Sequence, residues 1–277
     1  MPAHHSAWRW DPSLYAGAAA HYAAGRMAYP PELAGALVAE LGLDGTGTLL
    51  DVGCGPGSLT LLLAARFAHA IGVDADQGML DEGARQAAAR HVGNVSWRCL
   101  RAEDLPADLP PVDVITLAQS FHWMDRPRVA AAARRLLVPG EALVPGDALV
   151  PGGALVHVGA TTHRGDGTGG QSPPWDAITA LVETYLGAKQ PVPGDSPGHE
   201  DEIYRMAGFD GPRVIELPGR EVRRSAADIV AAVYSLSSST PHLFGDRLPD
   251  FDRDLHALLG GAGFTERTRP IVLQIWR

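Results

Sequence analysis

Asp51 and Asp74 stand 23 residues apart, and Gly53, Gly55 and Gly57 lie between them at alternate positions. Two carboxylates framing three glycines describe a place where backbone meets a ligand. Glycine supplies the dihedrals a tight turn needs, and its missing Cβ lets a ligand lie against the chain. If the turn opens a helix, the free N–H groups of that helix point at the same spot. Asp74, at the end of a following strand, can accept hydrogen bonds from both hydroxyls of a ribose.

The flanking residues say which elements hold these groups. Leu49 to Val52 reads as a short buried strand, Leu59 to Phe67 as a helix, and Ala70 to Asp74 as a second strand. The pattern continues, with strands expected at about 48–53, 69–74, 94–100, 112–118 and 154–160, and helices at about 57–67, 77–91 and 126–137. Such alternation predicts a parallel sheet. Sheets of this kind bind ligands at the carboxyl ends of their strands. That rule gathers the residues 53–57, 74–75, 102–104 and 119–123 on one rim, although they are scattered in sequence.

With those residues in view, the run Leu49 to Thr60 resembles the first motif of class I S-adenosylmethionine-dependent methyltransferases, and Gly72-Val73-Asp74 their second. Arg101 to Pro106 and Asp113 to Asp125 are similar to two later motifs, in the same order. The resemblance covers roughly Tyr15 to Ala160. Beyond it, Ser235 to Arg247 is similar to the tail of small-molecule methyltransferases of the trans-aconitate and biotin-pathway type. It implies an α/β fold with a Rossmann-like, doubly wound, mostly parallel seven-stranded sheet and a helical lid inserted after the fifth strand. It also implies one domain over 1–277, divided into N-terminal helices (1–45), a cofactor-binding core (46–160), a lid (161–210) and C-terminal strands and helices (211–277). The implied reaction is methyl transfer from S-adenosyl-L-methionine to a small-molecule acceptor at oxygen, nitrogen or carbon, with a carboxylate or phenol-like group favoured. The product cofactor is S-adenosyl-L-homocysteine, and no metal is called for. Two other readings stay open. A nicotinamide-dependent oxidoreductase is one, although those use G-x-G-x-x-G and here the third glycine comes one residue early. A non-catalytic S-adenosylmethionine-binding protein is the other.

Roles follow from chemistry within that resemblance. Gly53, Gly55 and Gly57 let the amino-acid and ribose portions of the cofactor lie against the backbone. Asp51 either binds the ammonium group or orients the loop. Asp74 binds the ribose, and Ala75 and Met79 pack on the adenine. Ala102 offers its backbone N–H, and Glu103, ahead of Asp104, accepts from the adenine amine. Tyr22 and Arg26 precede a Tyr-Pro step, and the guanidinium suits the methionine carboxylate. Gln119 sits where the sulfonium methyl projects. His122 is the candidate catalytic base, against the alternative that its ring only orients ligands or caps the next helix. His122, Trp123, Tyr15, Trp175 and Tyr234 are acceptor-contact candidates, with His163 and His242 behind them.

Composition bounds the rest. The net charge of −9 argues against nucleic acid as a partner. No run of about 18 apolar residues is present, so no membrane span is expected. The polar N-terminus lacks a signal-peptide core, which makes a cytoplasmic protein the expectation. Two cysteines, Cys54 and Cys99, are too few for a disulfide framework or a zinc site, and His4-His5 at the terminus is a weak metal candidate. Helices are expected at 12–24, 31–41, 175–186, 200–207, 225–236 and 250–259, with strands at 213–217 and 270–276, the last antiparallel to the fifth. A hexapeptide, Leu-Val-Pro-Gly followed by two variable residues, is written three times from Leu137 to Ala154. A tandem duplication of twelve residues accounts for it. Pro139 and Gly140 are then expected to end the helix, and Ala154 to begin the true strand. The residues 141–152 form an extra loop on the rim opposite the cofactor. Their Leu143, Val144, Leu149 and Val150 either fold onto the body or meet another subunit in a homo-oligomer.

Overall fold

The computed structural model describes residues 11–140, 152–168, 170–188, 199–261 and 263–277. In chain order they form α1 (Ala19–Gly25), α2 (Pro31–Leu41), β1 (Thr48–Val52), α3 (Ser58–Leu63), β2 (His69–Asp74), α4 (Gln77–Ala89), β3 (Val95–Cys99), β4 (Val114–Ala118), α5 (Arg126–Leu136) and β5 (Ala154–Gly159). Then follow α6 (Trp175–Leu186), α7 (Glu200–Met206), β6 (Arg213–Leu217), β7 (Glu221–Arg224), α8 (Ala226–Tyr234), α9 (Pro241–Phe244), α10 (Leu248–Leu259), β8 (Phe264–Arg267) and β9 (Ile271–Trp276). Seven strands make one sheet in the order β3-β2-β1-β4-β5-β9-β6. The first five run parallel, and β9 is antiparallel to both neighbours. The strand order reverses between β1 and β4, which opens a crevice at their carboxyl ends.

Local chemistry sets the ends of the elements. Pro31 opens α2, and Gly42 at φ 67° closes it. Asp76 caps α4 by accepting the Met79 N–H at 3.0 Å, and Asp125 caps α5 by accepting from Arg128. A reciprocal box of Ser225 and Asp228 starts α8. On α2 the buried stripe is Leu33, Ala34 and Leu37, with Val38 and Leu41 half-buried at its edge.

The helix expected from Pro12 begins only at Ala19. Residues 12–18 form successive turns, with Leu14, Ala16 and Ala18 N–H groups each donating to a carbonyl three residues back. Gly17 at φ 77° keeps the turns from joining the helix. The residues assigned to one lid, 161–210, divide between two places. α6 packs on α9 and α10, whereas α7 packs on α5, where Tyr204 and Phe209 enter the core cluster of Phe121, Leu136 and Trp276. β7 and β8 form a separate two-stranded antiparallel sheet that the sequence pattern did not announce, because four-residue strands give too little alternation to read.

Around the repeat, α5 ends at Leu136, three residues before Pro139, because Leu137 leaves the helix to bridge Val112 in parallel. β5 begins at Ala154 as expected. The Gly153 N–H donates to the Val138 carbonyl at 3.0 Å, so the chain on the two sides of the insert meets. The middle of the insert, with Leu143, Val144, Pro145, Leu149, Val150 and Pro151, lies outside the described residues, as do His4 and His5. No helix among the described residues is long and apolar enough to cross a membrane.

Candidate active site

The glycine turn is built around two carbonyl anchors. The Gly53 and Cys54 N–H groups both donate to the Val73 carbonyl, at 2.8 and 3.0 Å, and the Gly57 N–H donates to that of Cys54. Gly53, Gly55 and Gly57 all have positive φ, at 68°, 53° and 76°, which side chains would strain. Their surroundings differ. A Cβ on Gly53 would lie 2.4 Å from the Cβ of Ser120, whereas one on Gly55 would meet nothing within 4 Å. A Cβ on Gly57 would strike the Trp97 ring at 2.4 Å. Gly53 and Gly55 line the cavity at the strand ends. Gly57 does not, and its small size serves the packing of Trp97. Beneath the turn, Asp51 is buried and accepts from the hydroxyls of Thr60 at 2.6 Å and Thr116 at 2.7 Å. Burial raises its pKa while these hydroxyls oppose the rise.

The cavity holds about 700 Å3. Asp74 lines it, with one carboxylate oxygen accepting the Gly55 N–H at 2.8 Å and the other the Asp76 N–H at 2.9 Å. Each oxygen keeps a lone pair for a further donor. Burial pushes the Asp74 pKa up to about 6, against the lowering effect of those two N–H groups. Ala75, Met79, Leu100 and Ala102 add apolar wall beside it. Glu103 also lines the cavity, but its Oε1 accepts the Asp125 N–H at 3.0 Å and its Oε2 pairs with Arg101 at 3.3 Å. It therefore staples two rim loops together. Asp104 is exposed and does not border the cavity, because the 3₁₀ turn of Ala102–Asp104 carries it outward.

A smaller lobe of about 380 Å3 shares Tyr22, Gly53, Ala118 and Gln119 with the main cavity. Asp51 and Arg26 both line it. Arg26 is fixed by Ser235, with Nε donating to Oγ at 2.8 Å and Nη2 to the carbonyl at 3.0 Å. Its guanidinium carbon sits 4.4 Å from the Tyr22 ring centre. Gln119 stands at φ 57° and its Nε2 donates to the Tyr29 hydroxyl at 2.8 Å. Tyr29 and Thr162 complete the lobe, and Ser120 and Met124 the main cavity. Ser120 and Met124 fall within the stretch Asp113 to Asp125 but were given no role of their own, and Thr162 belongs to no motif. The Tyr-Pro step at Tyr29 is the one local signal for that residue.

The acceptor candidates separate. Trp123 and Tyr15 line the main cavity, edge to face at 6.4 Å. His122 does not line it. The 3₁₀ turn of Phe121–Trp123 sends neighbouring rings to different sides, and His122 lies close enough to His157 to act on it electrostatically. Trp175 donates its indole N–H to Glu266 at 2.8 Å and borders a different cavity. Tyr234 donates to Asp252 at 3.0 Å within the cluster of α8, α9 and α10. His242 meets the Ala16 carbonyl at 3.2 Å. Among the described residues no cluster of three His, Cys, Asp or Glu could hold a metal ion.

Residues 49–140 match a family model described as a methyltransferase domain. An uncharacterized methyltransferase of Mycobacterium tuberculosis is 35% identical over 133 residues, which are 48% of this chain and 51% of that protein. The trans-aconitate 2-methyltransferase of Azoarcus is 38% identical over 109 residues, covering 38% of this chain and 40% of that one. The chain thus spans about half the length of the curated relatives it matches. Among solved structures, one titled for the conversion of a disulfide bond into a thioacetal group during echinomycin biosynthesis aligns with a TM-score of 0.51 at 17% identity, covering 96% of this chain and 90% of that one. At that identity the likeness speaks for the fold alone.

Proposed function

We propose that the protein transfers the methyl group of S-adenosyl-L-methionine to a small-molecule acceptor, a reading that the methyltransferase-domain match over residues 49–140 supports. The observation that carries the reading is a matched set of charges around one crevice. Asp51 and Arg26 line the same small lobe, an acid and a base in the places that the ammonium and carboxylate of an amino acid would need. Asp74, in the adjoining cavity, keeps one lone pair on each oxygen for the two hydroxyls of a ribose. Gly55 leaves its Cβ side open to the cavity, so an elongated ligand can pass over the backbone there.

When bound, the cofactor supplies a methyl group already activated by sulfonium sulfur. The chain's task is then to hold donor and acceptor aligned, which can contribute about 7–11 kcal/mol. Gly53 and Gly55 seat the donor, Ala75, Met79 and Ala102 flank its adenine, and Tyr22 with Arg26 closes over the amino-acid end. Gln119, Trp123 and Tyr15 line the cavity beside the sulfonium end of the donor. Among the described residues no imidazole lines this cavity. That favours an acceptor with no proton to lose, such as a carboxylate, over a phenol. We assign residues 1–45 to the cover of the donor, 46–160 to its seat, and the remainder to acceptor recognition and the last strands.

The test is calorimetric titration with S-adenosyl-L-homocysteine and, separately, with a nicotinamide dinucleotide. Heat from the first alone is expected, and heat from the second alone would overturn the reading. Formation of S-adenosyl-L-homocysteine during incubation with candidate acids then distinguishes an enzyme from a passive binder.

A further inference from the structure

One face of α6 borders a second cavity, open to solvent on one side, that shares no lining residue with the donor cavity or its lobe. Trp175, Ile178, Val182 and Leu186 recur at helical spacing along that face, opposite Val233 and Leu236 of α8 and its exit. Eleven residues separate Trp175 from Leu186, so this apolar wall runs roughly 16 Å along the helix axis. An unfilled space between apolar walls forfeits dispersion contacts that closer packing would make.

The two ends of the wall differ. Gly165 N–H and the Trp175 indole N–H both donate to Glu266, which brings the loop carrying His163 and Arg164 to the Trp175 end. There the His163 ring has no hydrogen-bond partner among the described residues, and Arg164 pairs with no carboxylate among them. Burial first, then the positive charges of Arg26, Arg164, Arg224 and Arg269, hold the His163 pKa down to about 3. Arg224 is paired with Glu266 at 2.8 Å, so the neutral imidazole stands beside the positive charges of Arg26, Arg164 and Arg269, which favour an anion. Glu183, the carboxylate in the lining, lies eight residues beyond Trp175, about 12 Å further along α6.

This polar end is also the end nearest the donor. Thr162 lines the donor lobe, and His163, the next residue, lines the second cavity. Arg26 borders the lobe while bonded to Ser235, the neighbour of Leu236. We infer that this second cavity receives the acceptor, and that the acceptor is a single-headed amphiphilic acid. Its carboxylate meets His163 and Arg164, and its apolar body of roughly ten carbons lies along the wall of α6. The inference rests on the methyl-transfer reading for the reaction, though not for the binding. In that reaction a carboxylate oxygen bonds to the methyl carbon as the methyl–sulfur bond breaks. The electron pair of that bond stays on sulfur, and no proton is released.

The test uses the full chain, saturated with S-adenosyl-L-homocysteine and titrated calorimetrically with decanoate or with tricarballylate, a compact polyacid. Wild type is compared with Val182→Trp, which fills the middle of the cavity, and with Leu186→Trp at the half-buried end of α6. Decanoate is expected to bind wild type and to bind both variants at least about tenfold more weakly, while homocysteine-cofactor affinity is unchanged. Should Val182→Trp melt early, Leu186→Trp carries the comparison. Binding of tricarballylate without decanoate, or equal decanoate affinity in the folded variants, would overturn the inference. If the homocysteine cofactor gives no heat while decanoate still binds wild type and fails in the variants, the donor reading falls alone and the cavity's ligand class stands.

Discussion

Asp74 concentrates the chemistry of the site in one side chain. Its two oxygens already hold the Gly55 and Asp76 N–H groups, so removing it loses the turn's tie as well as the proposed ribose acceptors. Hydrogen bonds to a charged group are worth about 1.5–3 kcal/mol each. Asp74→Ala is therefore expected to weaken S-adenosyl-L-homocysteine binding by about tenfold or more, measured by calorimetry. Unchanged affinity would remove Asp74 from the site. The pKa of about 6 adds a sign to the argument. The folded state binds the proton more tightly than the unfolded state, so stability without ligand is expected to fall as pH rises from about 4 to about 6. Cofactor affinity should rise over the upper part of the same window, as the carboxylate becomes an acceptor. Melting and binding measured together should thus move in opposite directions. His122 carries the complementary expectation. Because its ring does not line the cavity, His122→Ala should leave the pH profile of turnover unchanged between about pH 5 and 8, and loss of a histidine-like limb would restore it as a base. Asp74 and Gly55 were legible because strand-end position alone fixes their direction. Gly57 and Glu103 were not, because Trp97 and Asp125, which occupy them, lie 40 and 22 residues away in sequence.

At the scale of elements, the cover of the site hangs on one crossing. α1 carries Tyr22 and ends at Gly25, where it meets α8 so closely that a Cβ would lie 2.1 Å from the Ala232 nitrogen. Backbone cannot retreat as a side-chain tip can. Gly25→Ala is expected to destabilise by about 3 kcal/mol or more and to weaken cofactor binding with it, since Arg26 follows directly and is held by Ser235 just beyond α8. Gly35→Ala, on the exposed face of α2 with nothing within 4 Å, is the control. It should stabilise by about 0.5–1 kcal/mol. Equal melting of the two variants would mean that the crossing is not tight. Glu266 plays a similar part for α6. It is buried with Arg224 at 2.8 Å and also receives the Gly165 and Trp175 N–H groups. Glu266→Ala leaves a guanidinium buried and unpaired, which should lower stability by about 3–5 kcal/mol by denaturant melting. The parallel strands and most helices were readable from periodicity, whereas this hub was not. Its members come from β7, β8, α6 and a loop, and no local pattern links an acid at 266 to an arginine at 224.

For the whole molecule, the question is whether the hexapeptide insert is part of the working fold. The strands that lead to the proposed donor site end at Val52, Asp74 and Ala118, while the insert leaves after Gly140 and returns at Gly153, beside the starts of β1, β4 and β5. The two rims are separated by the length of the strands, about 17–20 Å for five or six residues. The described residues on either side of the insert already close on each other. Val138 accepts from Gly153 at 3.0 Å, and a Cβ on Gly152 would lie 2.7 Å from the Gly140 nitrogen. Joining Gly140 directly to Gly153 thus restores a single Pro-Gly step without moving α5 or β5. Loop closure depends only weakly on length, each doubling adding about 0.6 kcal/mol, so the shorter connection should be no less stable. Deleting residues 141–152 is expected to preserve the melting temperature within a few degrees and S-adenosyl-L-homocysteine affinity within about twofold. A change in sedimentation between the two forms would assign the repeat's apolar residues to contacts between subunits. A deletion variant that folds but no longer binds cofactor would show that the insert reaches the donor site, and the placement of β5 would fall with it.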